Sequence, residues 1–205
     1  MKILNLYAGI GGNRKLWGDE HEITAVENNP EIAAIYKEFF PNDTVIVADA
    51  HEYLLEHFEE FDFIWSSPPC PTHSRVRKAT HHQNKPVFPS MILYEEIIFL
   101  QGYFKGKWVV ENVVSWYEPL IKPFVYKQHF YWSNFVIIGK EKANRCHNAG
   151  TKALSKLKGF DLSKFKGIDK TKALRNCVEP EAGLFVFNCA FKTQQEGLKN
   201  YGVIK

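Results

Sequence analysis

The sequence predicts an α/β fold built on a doubly wound, mostly parallel sheet, and three observations predict it. Five short apolar runs have strand character, segments of helical periodicity separate them, and cap and stop signals bracket the clearest helix. The strands are Ile3 to Tyr7, Glu22 to Val26, Thr44 to Ala48, Phe61 to Trp65 and Lys107 to Glu111. The clearest helix begins at Asn29-Pro30, a capping residue followed by proline in the first turn. Ile32, Ile35, Tyr36, Phe39 and Phe40 recur at helical spacing after it, and Pro41 stops it. A longer helix is predicted from about Pro89 to Phe104, where Met91, Leu93, Tyr94, Ile97, Ile98 and Leu100 supply a wide apolar face. Strands separated by such helices pair in parallel and are covered on both faces, which puts ligands at their carboxyl ends.

After Tyr117 the pattern loosens. Phe124 to His129 and Asn134 to Gly139 are expected to form an antiparallel pair closing the sheet, because Tyr131-Trp132-Ser133 is too short for a crossover helix. The basic stretch Lys140 to Lys172, with Gly150, Gly159 and Gly167, has weak periodicity and reads as an inserted loop region. Glu179 to Phe191 returns to apolar residues as a final helix or strand. A length of 205 residues suits a single domain, 1–205, with 140–175 as a basic insert.

A hydrophobic fraction of 45% and a charged fraction of 24% exclude a disordered or collagen-like chain. The longest apolar runs fall far short of the roughly 18 residues a membrane-spanning helix needs. Met1-Lys2 leads into a strand rather than the apolar core of a signal peptide, so a cytoplasmic protein is expected. Cys70, Cys146, Cys177 and Cys189 show no CxxC spacing, and neither a disulfide framework nor a metal site is expected. The net charge of +3 conceals an asymmetry: Met1 to Asp62 carries 13 acids and 4 bases, whereas Lys140 to Arg175 carries 11 bases and 3 acids. Either the basic part meets a polyanion or it is a lysine-rich solvated loop.

Candidate chemistry lies at the strand ends. Leu6-Tyr7-Ala8-Gly9-Ile10-Gly11-Gly12 follows the first strand, and its glycines let the backbone turn tightly and approach a ligand where a helix begins. A dinucleotide fingerprint wants glycine at position 14, where Arg14 stands. Glu27 ends the second strand, where an acid can accept both hydroxyls of a ribose, and Asp49 ends the third, within reach of an adenine amine. Either acid alone is more often a helix cap or a solvated carboxylate; at successive strand ends they favour an adenosine-bearing cofactor.

Trp65-Ser66-Ser67-Pro68-Pro69-Cys70-Pro71 follows the fourth strand, and three prolines restrict the backbone around one cysteine. A lone cysteine is more often a small buried hydrophobe. Proline on both sides at a strand end favours a fixed nucleophile instead. His73, Arg75, Arg77 and Lys78 are expected to lower its pKa. Glu111 closes the fifth strand, where its carboxyl can meet a ring nitrogen and an exocyclic amine, or cap the next helix.

In this order the motifs resemble the cytosine-C5 DNA methyltransferases, over roughly Ile3 to Lys140 and a short piece near the C-terminus. The resemblance implies a class I S-adenosylmethionine-dependent methyltransferase of Rossmann-like fold. S-adenosyl-L-methionine is then held by Tyr7, Ala8, Gly9, Gly11, Gly12, Glu27, Asn28, Asp49, Ala50 and Pro68, with Cys70 as nucleophile and Glu111 as its partner. Asn176-Cys177-Val178-Glu179-Pro180 is similar to the family's final asparagine-valine-proline motif, which folds back to complete the cofactor pocket. The implied substrate is a cytosine flipped out of double-stranded DNA. Cys70 attacks C6, Glu111 holds N3 and the 4-amino group, C5 takes the methyl group, and elimination frees Cys70, with no metal required.

Three departures accompany the likeness. The family has an acid at the position of Asn5. It carries an arginine pair where Lys127 and His129 stand in Lys127-Gln128-His129-Phe130-Tyr131-Trp132-Ser133-Asn134, most like the animal de novo enzymes. His129 is expected to donate to the cytosine O2, while Phe130, Tyr131 and Trp132 read equally as sheet-edge core. The family's recognition lobe is missing: Lys140 to Arg175 offers 36 residues, too few for an independent core. Ser74, Arg75, Arg77, Lys78, Lys127, Lys156, Lys158 and Lys164 are expected to contact nucleic acid, the basic ones through phosphate. Short or relaxed specificity, or recognition supplied by a partner chain, follows. Such a compact enzyme suits DNA modification for a phage or mobile element in a bacterial cytoplasm. A tRNA substrate, as in a related branch of the family, and a non-catalytic nucleic-acid-binding or methyltransferase-partner protein are the alternatives.

Overall fold

The computed structural model describes residues 1–80, 82–83, 85–139 and 150–191. Seven strands, β1 (Lys2–Leu6), β2 (Glu22–Val26), β3 (Thr44–Ile46), β4 (Phe63–Ser66), β5 (Lys107–Val113), β6 (Phe124–Tyr126) and β7 (His129–Ser133), form one sheet. Their order is β3-β2-β1-β4-β5-β7-β6. All neighbours from β3 to β5 pair in parallel, and β7 runs antiparallel to both β5 and β6. The helices are α1 (Pro30–Phe39), α2 (Ala50–His57), α3 (Arg75–Ala79), α4 (Ile92–Tyr103), α5 (Thr151–Lys158), α6 (Lys170–Asn176) and α7 (Pro180–Phe191). Among the described residues no helix is long and apolar enough to cross a membrane.

Alternation along β1 sets the two faces. Ile3 joins Trp17, Ile23, Phe63, Trp65 and Val109 under α7, whereas Leu4 and Leu6 join Val26, Ile64 and Val110 under α2 and α4. Helix α1 starts as its sequence dictates: the Asn29 side chain accepts from the amides of Glu31 and Ile32 at 2.9 and 3.1 Å, and Pro30 opens the first turn. The predicted doubly wound sheet is therefore present.

The first crossover departs from expectation. Between β1 and β2 there is one turn of 3-10 helix, Arg14–Leu16, so the glycine loop does not open an α-helix. Helix α7 covers the face this leaves bare: Trp17 stacks on Phe187 with centroids 5.0 Å apart and donates to the Gly183 carbonyl at 3.3 Å. A Cβ at position 183 would stand 2.5 Å from the Asn13 carbonyl oxygen, which is why glycine sits there. Arg14 is buried, donates twice to Asp43 at 3.0 and 3.1 Å and once to Asp19, and Tyr36 adds its hydroxyl to Asp43 at 2.8 Å. The side chain at the fingerprint position thus clamps the crossover to the turn after α1.

Two more expectations are corrected. The edge hairpin exists, but it turns at Lys127 and Gln128, both in the left-handed region (φ 45° and 64°), and Asn134 to Gly139 is not a strand. The turn has the two left-handed residues of a type I′ hairpin, without the asparagine and glycine that normally announce one. The basic insert is not simply a loop: α5, α6 and the segment between them place Leu154, Phe160, Leu162 and Leu174 against Ile10 of the glycine loop and Ile35 of α1, so the insert borrows its core from the main fold. Residues 140–149, with Cys146, lie outside the described residues. Asp43→Ala is expected to strand a buried guanidinium and lower stability by about 3–5 kcal/mol, seen as a lower urea midpoint at an unchanged denaturant slope.

Candidate active site

The loop after β1 bends through Tyr7, Gly9 and Gly11 at φ of 54°, 54° and 84°. Tyr7 is held in that unusual conformation by its hydroxyl, which donates to Glu96 Oε1 at 2.6 Å. Glu96 is fully buried in α4, also accepts from the Ser66 hydroxyl at the end of β4, and lies 3.1 Å from His51 Nδ1 of α2. One carboxylate thus ties together three elements around the loop. Burial, with Glu96 beside it, pushes the Tyr7 phenol far above its ordinary range, so it stays a donor, and the bond to Glu96 raises His51. Sequence reasoning passed over Glu96; its only signal is a position on the same helix stripe as Leu93, Ile97 and Leu100.

Glu27 accepts the Gly9 amide at one oxygen and the Asn29 amide at the other, each at 3.0 Å, and keeps a second lone pair on both. Asp49 caps α2, its Oδ1 taking the amides of His51 and Glu52 at 2.8 and 3.1 Å; the side chain is exposed. Asn28 is exposed, and the Ala50 methyl is buried in the core, leaving that residue only its backbone for a ligand. Asn5 does not leave the loop unsupported: it forms an amide pair with Asn13, whose Nδ2 donates to Asn5 Oδ1 at 2.7 Å. A Cβ on Gly12 would meet Cys177 Sγ and the Val178 carbonyl, so the Asn176 to Pro180 segment does return against the glycine loop. A Cβ on Gly9 would meet nothing within 4 Å. That open face, the Glu27 carboxylate and the exposed Asp49 fit an adenosyl group.

At the end of β4, the Cys70 carbonyl accepts the amides of His73 and Ser74 at 3.0 and 3.1 Å, closing a turn. Asn112, buried one residue after Glu111, donates to the Pro68 carbonyl at 2.9 Å. The proline-braced loop is therefore fastened to β5. The Cys70 thiol is pushed up, first by burial and then by the charge of Glu111. This corrects the expectation that neighbouring cations lower it. His73 turns Nδ1 to the Tyr117 hydroxyl at 2.6 Å, and burial lowers it. Arg75 donates to the Ser115 carbonyl, Arg77 to the Lys85 carbonyl, and the Lys78 ammonium stands 5.6 Å from the Trp116 ring centroid. Ser74 caps α3 through Val76 N. Arg75, Lys78, Ser115, Trp116, Tyr117 and Phe130 line a groove of about 810 Å³.

Glu111 is buried and faces Tyr131 across the β5–β7 ladder, with His129 Nε2 3.6 Å from its Oε1. His129 Nδ1 lies 3.2 Å from the Lys127 carbonyl, which can only accept. Nδ1 is thus the donor, and the approach of Nε2 to Oε1 is favourable when one proton lies between them. Lys127 stands 3.7 Å from Glu179 of the returning segment. In the basic insert Lys156 is exposed, but Lys158 is buried with its ammonium on the Cys177 carbonyl at 2.8 Å, and Lys164 pairs with Glu38. Lys158 is thereby removed from the phosphate-binding set, and Lys164 is partly neutralised.

The strand order with β7 alone reversed is the fold of class I S-adenosylmethionine-dependent methyltransferases. The model of the C-5 cytosine-specific DNA methylase family matches residues 1–114, more than half of the chain, and the chain belongs to that family. Similar solved structures include a hypothetical protein of Thermus thermophilus, at 19% identity and a TM-score of 0.44, covering 64% of this chain and 73% of that one. A mutant DNMT2 of Spodoptera frugiperda is 27% identical, with a TM-score of 0.39, over 55% of this chain and 35% of that one. A putative DNA modification methyltransferase encoded in an Escherichia coli prophage is 19% identical, with a TM-score of 0.37, over 58% and 33%. The chain thus spans about a third of the length of the last two. No curated protein matches it.

Because Glu111 raises the Cys70 thiol, Glu111→Gln is expected to lower that pKa. A thiol that titrates lower presents more thiolate, the reacting form, at a pH below its pKa. Peptide-resolved mass spectrometry of iodoacetamide alkylation at pH 8 should therefore show Cys70 reacting several-fold faster in the variant. Buried Cys177, pushed up to about 12, should stay unreactive in both.

Proposed function

We propose that this chain transfers a methyl group from S-adenosyl-L-methionine to C5 of a cytosine flipped out of duplex DNA, through a covalent Cys70 adduct. The observation that carries the reading is that the Glu111 charge acts on the Cys70 thiol while Asn112 fastens the cysteine loop. Tyr7, Ala8, Gly9, Gly11, Gly12, Glu27, Asn28, Asp49, Ala50 and Pro68 hold the cofactor, Ala50 by backbone alone. When bound, it supplies a methyl group on a sulfonium, the electrophile that C5 receives.

The remaining steps belong to the protein. As the base enters, Glu111 takes a proton to share with N3, and its repulsion of a thiolate at Cys70 ends. The thiol then gives its proton to solvent and attacks C6, forming the C6–S bond. Electron pairs move from the C5–C6 bond through the ring toward N3, which accepts the Glu111 proton, leaving a neutral enamine nucleophilic at C5. His129 holds the carboxyl group in place. After methylation a base or water removes the C5 proton, the C6–S bond breaks, and N3 returns its proton to Glu111. Arg75, Arg77, Lys78 and Lys156 supply phosphate contact that carries no sequence information, and α5 and α6 stand in for a recognition lobe within one catalytic domain.

A denaturation-resistant complex with duplex DNA containing 5-fluorocytosine is expected in the presence of cofactor, and none with Cys70→Ser, on denaturing gels. Absence of the complex with the wild-type protein on DNA and its presence on tRNA would move the activity to RNA. Absence on both would leave a nucleic-acid-binding protein without this chemistry. Lys156→Ala is expected to weaken duplex binding and flatten its salt slope by about one, whereas Lys158→Ala should lower stability and leave the slope unchanged.

A further inference from the structure

Phe88 is 93% exposed, far more than any other large apolar side chain among the described residues. A single exposed apolar side chain is ordinary on a protein surface. This one stands on a backbone restricted by Pro86 two residues before it and Pro89 directly after it. Its surroundings in the chain are one-sided, since no acid occurs from Phe63 to Tyr94 while Arg75, Arg77, Lys78 and Lys85 all do. The segment is also fastened to the candidate nucleophile loop. The Ser90 amide donates to Thr72 Oγ1 at 3.0 Å, two residues from Cys70, and Arg77 donates to the Lys85 carbonyl at 2.8 Å.

From these observations we infer that Phe88 is a base-stacking residue that inserts into the nucleic acid beside the reacting cytosine. The inference rests on the function proposed above and adds a contact to it. Cations around the segment draw in a phosphate backbone, and the segment presents an almost fully exposed aromatic ring on a proline-restricted backbone to what arrives. Apolar wedges of this kind partly unstack neighbouring bases, and aromatic side chains stack on them whatever the sequence. Such a wedge compensates the stacking that is lost when a base leaves the duplex. It also suits a chain whose insert is too small for a sequence-reading lobe.

Phe88→Ala removes no packing, so it tests the contact without threatening the fold. The probes are a mixed-sequence DNA duplex of about 30 base pairs and a tRNA transcript, titrated by anisotropy at several salt concentrations. On whichever probe the wild-type protein binds, Phe88→Ala is expected to bind about tenfold more weakly with the same salt slope. Phe88→Trp should restore affinity and add emission that the nucleic acid quenches. Equal affinity of Phe88→Ala and wild type overturns the wedge and leaves the proposed function standing. A loss that comes with a flatter salt slope overturns it too, because the contribution is then electrostatic. Sedimentation showing a wild-type dimer that Phe88→Ala dissociates assigns the ring to a second copy and also overturns it. No binding of wild type to either probe defeats the proposed function itself.

Discussion

Parallel pairing of β4 with β5 is the constraint on which the reacting end of the molecule depends. Ser66 lies opposite Val110 in that ladder, so the chain leaving β4 emerges beside Glu111. Proximity alone would leave the following loop free to swing. Three prolines limit its backbone, and the Asn112 amide fixes the Pro68 carbonyl, so the strand that presents the carboxyl group also holds the thiol's support. The resulting electrostatics are counterintuitive for a nucleophile. Burial and a neighbouring negative charge both favour the protonated thiol; in the function proposed above, that protonation is released when a base enters and the carboxylate is neutralised.

Elsewhere the fold compensates for what it omits. A single 3-10 turn replaces the first crossover helix, and α7 occupies the vacated face because Gly183 allows its backbone onto Asn13. The same return of the chain lays Cys177 and Val178 against Gly12. The basic insert then packs on α1, with Lys158 pointing inward to the Cys177 carbonyl and Lys15 to the Gly159 carbonyl. Charge in that segment is partly structural mortar.

What the sequence disclosed and what it hid divide along physical lines. Strands β1 to β5 and α1 were legible because periodicity and capping are local, and Asn29-Pro30 acts within its own turn. The motifs at Gly9, Cys70 and Glu111 were legible because strand ends of a doubly wound sheet must gather on one edge. Glu96 was not, since its role arises from Tyr7, Ser66 and His51 arriving from three other elements. Helices α5 and α6 were missed because each has two turns and too few apolar positions for a period, their core residing on α1 and the glycine loop. The hairpin at Lys127-Gln128 was misplaced because neither residue announces a left-handed turn. The inward lysine at 158 looked like its solvated neighbours, because burial is decided by tertiary contact.

In the function proposed above, the half-buried Cys70 thiol and the buried Glu111 carboxyl group address the ring carbon of a pyrimidine. The most direct test is mass spectrometry of nucleosides from DNA and tRNA incubated with the protein and labelled S-adenosyl-L-methionine. Label in 5-methylcytosine is expected. Label in N4-methylcytosine or N6-methyladenine, whose formation requires no thiol adduct, would contradict that function.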